Sequence, residues 1–110
     1  MVRTNPVTGW KSIFAVGHHV SKINELTEEE SKRTLEWFVQ LITENHDLQV
    51  RHRWQYINDL AIWDNRSVYH TATFDYDGLG PRTGHRAVSL GERPYLDSNS
   101  KSRREALSST

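Results

Sequence analysis

"LTEEESKRTLEWFVQLITENHDLQVRHRWQY", residues 26–56, changes its hydrophobic period partway along, and that change decides the fold. In the first half Leu35, Phe38, Leu41 and Ile42 recur at helical spacing and form one apolar stripe. Thr27 followed by Glu30 fits a capping box, in which each side chain bonds the other's backbone amide. The acidic first turn suits the positive end of a helix dipole. With Asn45 as a stop, these signals predict one amphipathic helix over about 28–44. Beyond residue 47 the pattern alternates. Leu48, Val50, His52 and Trp54 share one face, and Gln49, Arg51 and Arg53 the other, as in a half-buried strand.

Working outward, "MVRTNPVTG" (1–9) carries Asn, Pro and Gly and reads as a turn or loop, and "WKSIFAV" after it as a strand. On the C-terminal side, Asn58-Asp59 turns into a short apolar run from Leu60 to Trp63. Asp64-Asn65-Arg66 turns the chain again before Val68-Tyr69-His70 extends. Residues 75–85 are a Gly-, Pro- and Asp-rich loop, and "RAVSLG" is a last strand. The expected strands lie near 11–16, 48–55, 60–63, 67–73 and 86–90. The predicted class is mostly β with one packed helix. Residues 1–96 form the folded part, and the polar run 97–110 is expected to be a disordered tail.

Composition bounds the function. The 110 residues make one small domain, with 14 basic and 14 acidic side chains, so no global field favours nucleic acid or a membrane surface. Without cysteine, disulfides and thiolate metal sites are excluded. No apolar run is long enough to span a bilayer, and Met1-Val2-Arg3 opens no signal peptide, so a soluble, cytoplasmic protein is expected. Hydrophobic residues make up only 35%, so a core would lean on the four Trp and four Tyr.

The chemistry concentrates in "AIWDNRSVYHTATFDYDGLGPRTGHRA", residues 61–87. A lone His such as His70 is more often a hydrogen-bonded structural residue than a ligand. Arg82 and Arg86 flank Gly84; arginine grips carboxylates through paired, charge-assisted hydrogen bonds, although loop arginines are commonly just solvated.

In combination the signals are more specific. "WDNRSVYHTATFDY", then Arg82, Arg86 and "GERPY", resembles the closing segment of the taurine catabolism dioxygenases of the TauD/TfdA type. "VRTNPVTGWKSIFAV" is similar to that family's opening of the same region, with Asn5 where the family usually has His. The resemblance covers about Val2 to Tyr95. It implies a double-stranded β-helix (a jelly-roll, cupin-like fold), here its C-terminal part. It also implies iron(II) as cofactor, 2-oxoglutarate as cosubstrate and hydroxylation of a small, anionic, taurine- or sulfonate-like substrate. His70 matches the second histidine of the facial triad, two His and one carboxylate on one face of the metal. Arg82 matches the partner of the distal carboxylate of 2-oxoglutarate. Arg86 matches an arginine at the anionic end of substrate or cosubstrate. Trp63 and Asp64-Asn65-Arg66 match scaffold, with packing and turn formation as their roles.

The family's His-x-Asp or His-x-Glu pair has no counterpart. Two residues after His18, His19, His46, His52, His70 and His85 stand Val20, Ser21, Leu48, Trp54, Ala72 and Ala87. If His18 and His19 lie on a strand they point to opposite faces, which suits a structural role better than a shared metal. One family ligand in this chain implies an incomplete site. Absent strand partners imply open edges prone to association, homo-oligomers included. Two alternatives stand beside the enzyme: a non-catalytic remnant or a module that binds a partner through its open face, and an unrelated small domain using Arg82 and Arg86 as an anion site.

Overall fold

The computed structural model describes residues 1–14 and 16–108. The chain begins with a hairpin. β1 (Val2–Thr4) and β2 (Lys11–Ile13) pair antiparallel with Val2 opposite Ile13 and Thr4 opposite Lys11. The turn between them is closed by its own polar groups. The Asn5 carboxamide oxygen accepts the N–H groups of Val7 and Thr8, at 2.9 and 3.2 Å. Gly9 donates to the Asn5 carbonyl and sits at φ +71°, a conformation that favours glycine. The loop reading of residues 1–9 is thus right for the turn and short by one strand. The strand expected over 11–16 ends at Ile13, and its Ala15 lies outside the described residues.

α1 spans Glu28–Thr43 with the expected capping box: the Thr27 N–H donates to the Glu30 carboxylate at 2.9 Å, and the Glu30 N–H donates to the Thr27 hydroxyl at 3.3 Å. Leu35, Phe38 and Ile42 are half-buried along one stripe, while Trp37 and Leu41 face outward. α1 was expected to pack on a sheet; among the described residues neither strand makes an extensive contact with it. A single 3-10 turn, His46–Leu48, follows.

From residue 49 to 94 the chain turns and extends without joining a sheet. The strands expected near 48–55, 60–63, 67–73 and 86–90 do not form among the described residues, and the two-stranded hairpin is the sheet that does. The alternating pattern is present, but a strand requires a neighbouring backbone to complete its hydrogen bonds, and these segments have none beside them. The expected turns hold. Asp59 accepts the N–H groups of Gln55 and Tyr56 beside Asn58 at φ +74°, and Ser67 and Val68 donate to the Asp64 carbonyl.

The polar end also departs from its expected disorder. It folds back on β1: Thr4 donates its N–H to the Tyr95 carbonyl at 2.8 Å, and its hydroxyl accepts the Asp97 N–H at 2.9 Å and meets the Ser100 hydroxyl at 2.9 Å. Lys11 donates its N–H to the Lys101 carbonyl. α2 (Arg103–Leu107) then starts at Ser102 with a second capping box, closed by Glu105.

The inside of the molecule is polar. Among the described residues the buried side chains are Arg3, Thr4, Asn5, Ser31 and Ser100, with Val16 the one buried hydrophobic. The accessible surface is 10356 Å², against roughly 6,300 Å² for a compact monomer of this mass. The radius of gyration is 17.2 Å, against about 13 Å for a compact domain of this length. Residues 49–96 therefore run open rather than enclosing a core.

Candidate functional site

The turn at 63–67 builds the region around His70. Asp64 and Arg66 close it on themselves: the Arg66 backbone N–H, Nε and Nη2 all donate to the Asp64 carboxylate at 2.8–3.1 Å. Those bonds hold the Asp64 carboxyl down at about 2, with the guanidinium hydrogen bonds the largest cause. The same contacts raise Arg66 above its ordinary value. Arg66 Nη1 reaches on to Glu92 at 3.2 Å, and the other Glu92 oxygen accepts from Arg3 Nη2 at 2.6 Å. Glu92 is held below its ordinary value, mainly by its own backbone N–H and then by the two arginines. Arg3 is buried, with its guanidinium 4.7 Å from the Phe14 ring centre and its Nε without an acceptor among the described residues. A line of alternating charge, Asp64–Arg66–Glu92–Arg3, thus ties the turn to β1. Asn5 adds a second tie, Nδ2 donating to the Ser67 hydroxyl at 3.3 Å.

Trp63 leads into this turn with its indole N–H donating to the Asn65 carboxamide at 2.9 Å. The indole packs against the imidazole of His70, ring centres 4.7 Å apart and planes tilted by 49°. The His70 ring has no hydrogen-bond partner among the described residues and is exposed. The packing and turn-forming roles read for Trp63 and Asp64-Asn65-Arg66 are what the contacts provide.

Arg82 and Arg86 lie on the open loop that follows, both exposed. The Arg82 guanidinium stands 5.6 Å from the Tyr76 ring centre, within cation–π range. Neither arginine has a carboxylate partner among the described residues, and no bond joins either to His70. His18 and His19 sit on a turn closed by the Val20 N–H on the Gly17 carbonyl, not on a strand. Their rings are 4.3 Å apart, so the opposite-face geometry expected of them does not hold.

Among the described residues no three His, Asp or Glu side chains gather as a metal ligand set. One exposed imidazole does not hold iron(II) against water, so these residues by themselves do not fit the metal. No helix among them is long and apolar enough to cross a membrane.

The sequence reading missed the Arg3–Glu92–Arg66 line and a second long tie, in which the Tyr69 hydroxyl accepts the Val16 N–H at 2.7 Å and donates to the Val16 carbonyl at 3.2 Å. Both join residues far apart in the chain and leave no local pattern.

The family described as "Taurine catabolism dioxygenase TauD, TfdA family" matches residues 1–88. The chain is 62% identical over 106 residues to the alpha-ketoglutarate-dependent dioxygenase btcD of Neocamarosporium betae, covering 96% of this chain and 31% of that protein. It is 58% identical over 107 residues to the alpha-ketoglutarate-dependent dioxygenase esdpJ of Penicillium shearii, covering 97% and 28%. It is 35% identical over 97 residues to an alpha-ketoglutarate-dependent sulfonate dioxygenase of Saccharomyces cerevisiae, covering 88% and 23%. The chain thus spans about three tenths of the length of the first two relatives. No solved structure matches it.

Proposed function

The chain belongs to the taurine catabolism dioxygenase (TauD/TfdA) family, and from that membership we propose that it forms the C-terminal part of an iron(II)- and 2-oxoglutarate-dependent dioxygenase. The complete fold of that enzyme is a jelly roll, in which residues 48–90 take up the strands that their alternation encodes. The substrate is a small anion; the sulfonate named for the yeast relative supports that class. His70 is one protein ligand of the metal. Arg82 pairs with the distal carboxylate of 2-oxoglutarate, and Arg86 lies at the anionic end of substrate or cosubstrate, on the same concave side.

The observation that carries this reading is the Trp63–Arg86 run. Its turn closes on itself and leaves the His70 and His85 imidazoles and the Arg82 and Arg86 guanidiniums exposed and free of carboxylate partners among the described residues; of the two imidazoles, His70 is the one at the family position. An imidazole free of hydrogen bonds can ligate, and an unpaired guanidinium can take a carboxylate. With one family ligand here, the rest of the metal site has to come from sequence beyond these residues, and no reaction step is assigned to this chain alone.

A second reading, a module that docks a partner on its open face, draws on the outward-facing apolar side chains of 50–96. It predicts partner binding that is indifferent to iron.

The test is a chimera in which this chain replaces the matching segment of the Neocamarosporium betae relative. His70→Ala should abolish iron-dependent succinate release at every 2-oxoglutarate concentration. Arg82→Ala should raise the 2-oxoglutarate requirement roughly 10- to 100-fold, as the loss of a charged hydrogen bond does. Turnover that survives His70→Ala contradicts the assignment.

A further inference from the structure

A two-stranded hairpin has two outer edges, and each can take a further strand wherever its N–H and C=O groups are unpaired. Here Asn5 donates its N–H to the Trp10 carbonyl, and Phe14 to the Met1 carbonyl. Bonded and unbonded pairs alternate along an antiparallel ladder. Thr4 and Lys11, opposite each other beside the Asn5–Trp10 pair, therefore point their backbone groups outward, one from each edge. One segment takes both. The Thr4 N–H donates to the Tyr95 carbonyl at 2.8 Å, and the Lys11 N–H to the Lys101 carbonyl at 2.9 Å. Residues 95–101 thus cross the hairpin from edge to edge. Midway, the Ser100 hydroxyl donates to the Asp97 carbonyl at 2.6 Å, which uses its one proton, so the buried Thr4 hydroxyl is the donor in the 2.9 Å contact between them. Beyond the crossing the Arg103 guanidinium stands 5.9 Å from the Trp10 ring centre, and Lys11 Nζ is 3.8 Å from the Glu105 carboxylate.

We propose that residues 95–101 are an edge guard: a strap across the turn end of the hairpin that occupies the outward N–H groups of both strands, so that no further strand adds there. The strap lies beyond residues 1–88, the part that the family matches. It leaves the other end of the hairpin uncovered. Val2 and Ile13 point outward by the same alternation, their side chains are exposed, and with Leu96 they line an open groove. Strand addition is thereby confined to the Val2–Ile13 end, which stays available to the sheet of a whole enzyme. The device is independent of the metal site and of its residues.

The test is sedimentation velocity of the full 110-residue chain over a range of concentrations, with amide hydrogen exchange on the same samples and a second copy of the chain as the incoming strand. The chain has no cysteine, so Thr4→Cys with Ser100→Cys adds one pair where two hydroxyls now touch, and its oxidation locks the strap down. Ser100→Arg puts a long charged side chain at a buried position and lifts the strap. Both chains share residues 49–94, so a difference between them reads the hairpin edges. The lifted chain should self-associate roughly tenfold more tightly than the locked one. Its Thr4 and Lys11 amides should exchange fast in dilute solution and regain protection as it associates. Equal association of lifted and locked chains, with the Val2–Ile13 cross-strand resonance contacts intact, overturns the proposal. Should Ser100→Arg lose the hairpin, Asp97→Pro decides, since it removes only the N–H donated to the Thr4 hydroxyl. A hairpin lost in both overturns the guard, because the strap would then make the hairpin. A cysteine pair that does not oxidise, or Thr4 and Lys11 amides that stay protected in both variants when dilute, contradicts the crossing itself.

Discussion

Thr4 and Leu90 mark the two halves of this molecule. Thr4 is 3% exposed, and its amide and hydroxyl are all engaged by residues 95–100. Leu90 is 100% exposed, and Val50 and Ile57 are nearly so. One half is a hairpin clamped by the polar end of the chain. The other, residues 49–94, carries His70, Arg82 and Arg86 on backbone that turns on itself and joins no sheet among the described residues. The clamp holds because polar groups from the two ends of this chain satisfy one another. The half that carries His70 leaves apolar side chains and backbone open, and such surfaces call for a covering partner.

The largest change within this chain should come from the clamp. Thr4→Val keeps the shape and removes the hydroxyl that receives the Asp97 N–H and meets Ser100. About 1–3 kcal/mol of local stability should be lost, seen as faster hydrogen exchange at Asp97 and Lys11. Amides in 50–94 should not change. If they do, the halves are coupled more tightly than the contrast allows.

Acid should act next, at the junction between the halves. The folded Asp64 carboxyl titrates near 2, against about 4 when unfolded. Its contribution is therefore fully present above about pH 4 and is lost as the pH falls toward 2. Glu92 is lowered in the same direction. The Trp63 indole N–H and Ser67 amide resonances should shift between pH 4.5 and 2 while the α1 pattern holds above that window. Signals at the turn that stay fixed down to pH 2 would break the account of the junction.

The smallest effect is at the end of the clamp. Ser102→Ala removes the cap of α2, costing about 0.5–2 kcal/mol of helix stability. The amide shifts of 103–107 should move toward coil, with Thr4 and Asp97 protection retained.

What was legible follows the same division. α1 could be read to within a residue of its end because the capping box and apolar stripe are local. The turns at Asn58-Asp59 and Asp64–Arg66 were legible for the same reason. β1 was missed because three residues running straight into Asn5-Pro6 look like part of a turn until a partner strand is in place. The tail was missed because its composition is polar, although Ser102 and Glu105 repeat the capping spacing seen at Thr27 and Glu30. The alternation over 48–55 says which face would be buried and not which backbone pairs with it, so strands were expected where this chain has none. The scaffold roles of Trp63 through Arg66 were legible as a self-closing turn. The ties from Glu92 to Arg3 and from Tyr69 to Val16 were not, since 89 and 53 positions separate the partners.

The central claim is that this chain holds a part of a dioxygenase site, with His70 as the family ligand, and not a whole one. Calorimetric titration of the purified 110-residue chain with iron(II) under anaerobic conditions, followed by a succinate-release assay with 2-oxoglutarate, tests it most directly. The account predicts no saturable iron binding in the micromolar range and no iron-dependent succinate. Tight one-to-one binding with succinate release that vanishes in His70→Ala would contradict it, and would mean that other residues of this chain complete the site.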